Sequence, residues 1–199
     1  MLKPLLQKMV LPVGFLSLFF LGSINLQLTQ AATPTLVKME TSKGDMTIEL
    51  FDEKAPITVK NFLRYISEGF YDHLIFHRVI SGFMIQGGGL DSEMREKDNN
   101  PPIKNEAAKD LKNSKYTIAM ARTGVIDSAT SQFFINLVNN DNLDHKNSTR
   151  GGFGYAVFGK VIEGLEVVDA IGKVKTGVKN GFRDVPVEPV FIQKVTVLN

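Results

Sequence analysis

The 199-residue chain contains no cysteine, and its three histidines, His73, His77 and His145, belong to no metal-binding motif. The absence of cysteine excludes disulfides, thiolate nucleophiles and cysteine-based metal sites. It also suits an oxidising compartment, in which a free thiol is a liability. We therefore expect neither a metal nor a bound cofactor.

An excess of charge is also missing from most of the chain. Lys3 and Lys8 are the only charged side chains in residues 1–31, so the remainder has 21 basic and 21 acidic residues. A nucleic-acid footprint requires clustered excess lysine and arginine. We therefore expect no nucleic-acid partner.

Motifs for nucleotide binding and hydrolysis are absent as well. GGGLD at 87–91 is not followed by the Lys-Ser/Thr pair of a phosphate-binding loop, and GGFGYAVFG departs from G-x-G-x-x-G at Val157. No G-x-S-x-G elbow marks a serine hydrolase. Both glycine-rich stretches are interpreted as turns.

The N-terminus has the three parts of a secretory signal: a basic start, an apolar run at 9–24 and a small-residue end. Thr29 and Ala31 place small side chains three and one before a cut after Ala31, with Ala32 a neighbouring site. The run is shorter than the roughly 20 residues that a membrane-spanning helix prefers. We expect a signal peptide at 1–31, with an uncleaved anchor as the alternative, and one domain at 32–199.

The rest of the chain alternates between short strand-like and helical patterns. Val37 and Met39, then Met46, Ile48 and Leu50, alternate with polar residues on either side of SKGD, which predicts a hairpin. Helical spacing indicates two helices, one from Pro56 to near Gly69 and one at 164–171. Further strand character lies at 74–86, 116–121, 132–138, 155–162 and 189–198, and a polar surface excursion at 87–115. This order predicts a mainly β domain, whose antiparallel sheet closes into a barrel or sandwich covered by two helices.

Polar side chains interrupt one of these strands. In FHRVISGFMIQGGG, which starts at Phe76, Arg78 and Gln86 lie among apolar residues. Because successive strand side chains point to opposite faces, Met84 and Gln86 share a face, and Arg78 is expected to share one with Phe76 and Ile80. In SATSQFFINL, Gln132 and Phe134 repeat the two-residue spacing. If the strands are neighbours, amides and aromatics line one apolar cleft.

Three long blocks then identify a resemblance. FHRVISGFMIQGG, SQFFI and FGKVIEGLEVVD resemble the signature blocks of the cyclophilin family of peptidyl-prolyl cis-trans isomerases, over roughly residues 35–198. IAMARTG, DSATSQFFIN, LDH and GFGYAVFGKV are most similar to bacterial periplasmic cyclophilins. The resemblance implies a closed eight-stranded antiparallel barrel capped by two α-helices. It also implies a monomeric periplasmic enzyme, without stable membrane association once the signal is removed.

The resemblance assigns roles to ten residues. Arg78 matches the catalytic arginine of the family, and Arg122 stands where many relatives have an asparagine that contacts substrate backbone. The substrate-binding positions are Phe83, Met84, Gln86, Ala121, Arg122, Gln132, Phe134, Leu143 and Tyr155. The substrates implied are proline-containing polypeptides.

Two positions depart from the pattern of many eukaryotic relatives. Asn142 stands where they have a tryptophan, and Tyr155 stands where they have a histidine. The first change removes an indole donor and apolar area, whereas the second keeps a ring with a polar tip. Since that tryptophan contacts cyclosporin in relatives, we expect weak cyclosporin binding.

Other function classes stay open at this point. Taken singly, Phe83, Met84, Phe134 and Leu143 are also what a barrel core requires, and Arg78 is also what a surface ion pair requires. A chaperone module could bind proline segments with little catalysis. A small-ligand carrier would need a hollow barrel, but the bulky strand residues predict a filled interior.

Overall fold

The computed structural model describes residues 33–199, so the predicted signal peptide lies outside the described residues. This part of the chain forms ten strands, two α-helices and one short 3-10 helix. In chain order they are β1 Leu36–Thr41, β2 Gly44–Leu50, α1 Pro56–Ser67, β3 Phe76–Ile80, β4 Met84–Gly87, β5 Thr117–Met120, β6 Phe133–Asn136, the 3-10 helix Asp141–Leu143, β7 Val157–Glu163, α2 Leu165–Ile171, β8 Thr176–Lys179, β9 Phe182–Pro186 and β10 Ile192–Val197. Neither helix in 33–199 has the length and apolar character needed to cross a membrane.

Eight of the strands form one antiparallel sheet in the order β10-β1-β2-β7-β5-β6-β4-β3. The predictions of a mainly β domain and of two helices are confirmed. The ladders describe a curled half-barrel, because the edge strands β3 and β10 form no ladder with each other within 33–199. Closure of the barrel is therefore not shown by the strand pairing.

Backbone hydrogen bonds nevertheless join the segments that lead into the two edge strands. The His73 N–H donates to the Ile192 carbonyl at 2.8 Å, and the Ile192 N–H donates to the Leu74 carbonyl at 2.7 Å. The Phe76 N–H donates to the Val190 carbonyl at 2.9 Å. The sheet thus curls far enough for its two edges to contact each other.

Side chains fill the interior of the curled sheet. The predicted alternation holds in β1, where Val37 and Met39 are fully buried. In β2 the predicted Met46, Ile48 and Leu50 are buried, but Thr47 between them is buried as well. Helix α1 contributes Phe62, whose ring lies 5.1–5.8 Å from the rings of Tyr71, Phe133 and Phe158. Helix α2 adds Val167, Val168 and Ile171 to the same core. Such a core leaves the outer face of the sheet as the place for a binding site.

The stretch at 74–86 is a hairpin rather than a single strand. β3 and β4 pair antiparallel around a turn at 81–83, in which Gly82 has a φ of 72°. The register shifts between Phe76 and Arg78, which is a β-bulge. The bulge turns Phe76 into the core, edge-on to Phe133, so the expectation that Phe76 and Arg78 share a face is wrong.

The second hairpin, β8–β9, has no counterpart among the predicted strands. Its turn contains Asn180 and Gly181, both with positive φ, at 49° and 83°. Asn-Gly between two strands is the strongest short-range hairpin signal, so the sequence did contain the necessary cue. The excursion at 87–115 has buried members, Leu90 and Leu111 among them, and folds against the domain.

Candidate active site

A pocket of about 360 Å³ opens on the outer face of the sheet beside the β3–β4 hairpin. The structure brings nine of the ten predicted site residues together around it. They are Arg78, Phe83, Met84, Gln86, Ala121, Arg122, Phe134, Leu143 and Tyr155. The tenth, Gln132, does not line the pocket, but it reaches the wall through a hydrogen bond to Gln86.

One wall of the pocket is a chain of polar side chains. Arg78 on β3 is directly opposite Gln86 on β4, and its Nη1 lies 3.4 Å from Gln86 Oε1. Gln86 Nε2 in turn donates to Gln132 Oε1 at 2.9 Å. The Gln86 amide thus has a partner at each end, and the Arg78 guanidinium lies beside it among the residues that line the pocket.

The floor of the pocket is apolar. Met84 and Phe134 are 2% and 4% exposed, while Phe83 and Leu143 are half-buried beside them. The Tyr155 ring stands edge-on to Phe134, with 5.5 Å between the ring centroids. This arrangement provides a small apolar cavity next to a cation, which suits a compact apolar ring attached to a polar backbone.

Arg122 and Ala121 form the side opposite Arg78. The Arg122 Cζ lies 4.8 Å from the centroid of the Tyr155 ring, and its Nε donates to the Gly154 carbonyl at 3.0 Å. The Ala121 N–H donates to the Gln132 carbonyl at 2.9 Å. Stacking and hydrogen bonds therefore hold this side in place.

Asp184 lies beside the pocket arginine and was not predicted from the sequence. It lies on β9, and its Oδ2 is 3.9 Å from Arg78 Nε, with both side chains somewhat over 40% exposed. No local pattern links two residues so far apart in the chain, so nothing in the sequence pointed to it. Within 33–199, no group of three or more His, Asp or Glu side chains is arranged to hold a metal ion.

Comparison with known proteins agrees with this geometry. The family model of cyclophilin type peptidyl-prolyl cis-trans isomerases matches residues 36–197. The chain belongs to the cyclophilin family. It is 51% identical over 168 residues to peptidyl-prolyl cis-trans isomerase A of Dickeya dadantii, covering 84% of this chain and 87% of that protein.

Two further relatives extend the match of this cyclophilin. Peptidyl-prolyl cis-trans isomerase B of Escherichia coli is 54% identical over 162 residues, covering 81% of this chain and 99% of that one. A crystal structure of a Cryptosporidium parvum cyclophilin type isomerase superimposes with a TM-score of 0.69 at 26% identity, covering 84% of this chain and 99% of that one. The relatives span bacteria and eukaryotes, and the fold is the cyclophilin fold.

His77 lies beside Arg78 in the chain but takes no part in the pocket. It is 6% exposed, and its Nδ1 is buried without a hydrogen-bond partner among the described residues. Burial lowers the pKa of His77 to about 4, and the positive charge of Arg78 contributes to the same shift. A structural role, rather than proton transfer, follows for this histidine.

The depressed pKa of His77 predicts a loss of stability in acid. In the unfolded chain the imidazole takes up a proton near pH 6.5, but in the folded protein only near pH 4. Between these values the unfolded state binds more protons than the folded state. The free energy of unfolding therefore decreases as the pH is lowered, by about 3 kcal/mol between pH 7 and pH 4. Urea unfolding of wild type and His77→Leu at pH 7 and pH 4 measures this, since the variant lacks the titrating group. Equal acid sensitivity of the two proteins would contradict the assignment.

Proposed function

We propose that this cyclophilin isomerises X-Pro bonds in the pocket, with Arg78 as its catalytic residue. The other nine predicted residues then act as substrate-binding groups. The observation that carries this proposal is the position of the Arg78 guanidinium at the edge of an apolar cavity, directly opposite Gln86. The chemistry required is rotation about a bond, and no bond is broken.

Rotation about an X-Pro bond is slow because amide resonance gives the C–N bond double-bond character, with a barrier of about 18–20 kcal/mol. In the twisted state this resonance is lost and the lone pair is localised on the proline nitrogen. An enzyme accelerates the rotation by binding this state more tightly than either planar isomer.

The Arg78 side chain suits this task. An arginine is always charged, and it can donate a hydrogen bond to the proline nitrogen or to the displaced carbonyl oxygen as the amide twists. Both bonds gain strength only when resonance is broken. Phe83, Met84, Phe134 and Leu143 hold the proline ring, while Gln86 binds the backbone beside it.

A second candidate function is a chaperone module that holds proline segments with little catalysis. It is favoured by the same apolar floor, which would bind a proline ring in either role. Catalysis is the better proposal because a purely binding pocket has no need of a cation beside the amide. Peptide isomerisation rates separate the two functions.

The proposal also includes export of the protein, a monomeric state and closure of the barrel. The basic start, the apolar run at 9–24 and the small-residue end support a signal peptide at 1–31 and a periplasmic location for the domain at 32–199. The resemblance to cyclophilins of similar size supports a monomer. The hydrogen bonds from the His73 and Phe76 N–H groups to the carbonyls of Ile192 and Val190 support closure of the sheet into a barrel.

Arg78→Ala should reduce turnover by about 10²–10³-fold, the usual effect of removing one donor to a developing charge, and should leave the fold intact. Exchange NMR on an Ala-Pro peptide measures the rate, and circular dichroism checks the fold. Arg64→Ala is the matched control, because Arg64 is an exposed α1 arginine outside the pocket. Near-normal turnover in Arg78→Ala would disprove the catalytic role. A wild type that prevents aggregation without accelerating exchange would favour the chaperone.

Cyclosporin should bind weakly, since Asn142 offers neither the indole donor nor the apolar area of tryptophan. Asn142→Trp should tighten binding by about tenfold or more, as expected for a restored aromatic contact at a binding surface. Calorimetric titration of the two proteins makes the comparison. Nanomolar binding to wild type would contradict the expectation.

Expression of the full chain in a Gram-negative host should give a periplasmic product that starts at Ala32. Mass spectrometry of the periplasmic fraction measures this, and Ala31→Arg, which places a bulky charge before the cut, should block processing. Full-length protein retained in the membrane would support the uncleaved anchor instead.

A further inference from the structure

A second groove adjoins the pocket, and its wall carries positive charge. This side groove has a volume of about 590 Å³ and shares Arg122, Leu143 and Tyr155 with the pocket. Its other lining residues are Thr123, Gly124, Asn142, Arg150, Gly151 and Gly154. A polypeptide that leaves the pocket past the shared residues enters the side groove directly.

Two arginines join the loops on either side of the groove. Arg122 donates from Nε to the Gly154 carbonyl at 3.0 Å and from Nη2 to the Arg150 carbonyl at 3.4 Å. In the opposite direction, Arg150 Nε donates to the Gly124 carbonyl. A Cβ at Gly124 would meet the Arg150 guanidinium, the mobile end of that side chain, so a larger residue at position 124 would displace the arginine. The groove is therefore a built feature rather than a gap between unconnected loops.

The charges in the groove are not neutralised by carboxylates. Arg78 is near Asp184, but no carboxylate in residues 33–199 lies within 4 Å of the guanidinium of Arg122 or Arg150. Arg122 uses Nε and both terminal nitrogens on backbone carbonyls. The two terminal nitrogens of Arg150 make no hydrogen bond within the described residues, and the side chain is exposed. Arg150 thus presents an open guanidinium fork.

We propose that the side groove binds an acidic side chain of the substrate, close in sequence to the proline, and that Arg150 binds its carboxylate. A guanidinium fork matches the two oxygens of a carboxylate, and such charge-assisted pairs are stronger than neutral hydrogen bonds. Because the groove shares Leu143 and Tyr155 with the pocket, an extended chain that advances about 3.3 Å per residue reaches it within a few residues of the proline. The inference rests on the proposed function and assigns it a preferred substrate class, X-Pro segments flanked by Asp or Glu.

The test uses six heptapeptides with a central proline, each of which carries one Glu at a different one of the six remaining positions. Each Glu peptide is matched to a peptide with Gln at the same position. Exchange NMR at low salt gives kcat/KM for every pair. At one or more positions the Glu peptide should be favoured by about twofold to fivefold, the range of a solvent-exposed ion pair. The preference should shrink in about 0.5 M salt, since surface charges are then screened.

Three variants assign this preference to Arg150. Arg150→Gln should bring the Glu-to-Gln ratio close to one, while Arg150→Lys, which keeps the charge but loses the guanidinium fork, should retain only part of the preference. Lys146→Gln is the matched control, because Lys146 is an exposed cation on the same loop that does not line the groove, and its ratio should equal that of wild type.

The outcomes distinguish this inference from the proposed function. Acceleration of the peptides without any Glu preference, or a preference that survives in Arg150→Gln, would overturn the inference alone. A wild type that accelerates none of the peptides would overturn the proposed function, and the substrate preference with it.

Discussion

The pairing of β3 with β4 is the constraint on which the site depends. Its register places Arg78 opposite Gln86, and the neighbouring ladder places Gln86 opposite Phe134 on β6. The bulge after Phe76 allows one short strand to supply both a core aromatic and a pocket cation. A register slip of one residue would turn every one of these side chains to the other face of the sheet.

The filled interior explains why the chemistry lies on the outer face. Phe62 and its aromatic neighbours occupy the space inside the curled sheet, so no ligand could enter there without displacing the core. A site on the outer face suits a polypeptide substrate, because the chain continues on both sides of the bound proline and needs open space at both ends of the pocket. The same openness keeps Arg78 in contact with solvent, near Asp184, rather than sealed in a cavity.

Much of this architecture could be predicted from the sequence, because alternation and helical spacing depend on local patterns. The strands other than β8 and β9, the two helices and the grouping of nine residues around one pocket follow from such patterns together with the family resemblance. The bulge after Phe76 could not be predicted, since period-two alternation assumes an unbroken ladder. The contact of Arg78 with Asp184 and the reciprocal bonds of Arg122 and Arg150 also escaped prediction, because they depend on how distant loops meet in three dimensions.

In the proposed function, the proline amide lies against Arg78 while its ring occupies the apolar floor. A crystal structure of the protein with a bound X-Pro peptide tests this most directly. We expect the ring among Phe83, Met84, Phe134 and Leu143, with an Arg78 terminal nitrogen about 3 Å from the proline nitrogen or the preceding carbonyl oxygen. A peptide bound away from this pocket, or an Arg78 turned from the amide toward Asp184, would contradict it.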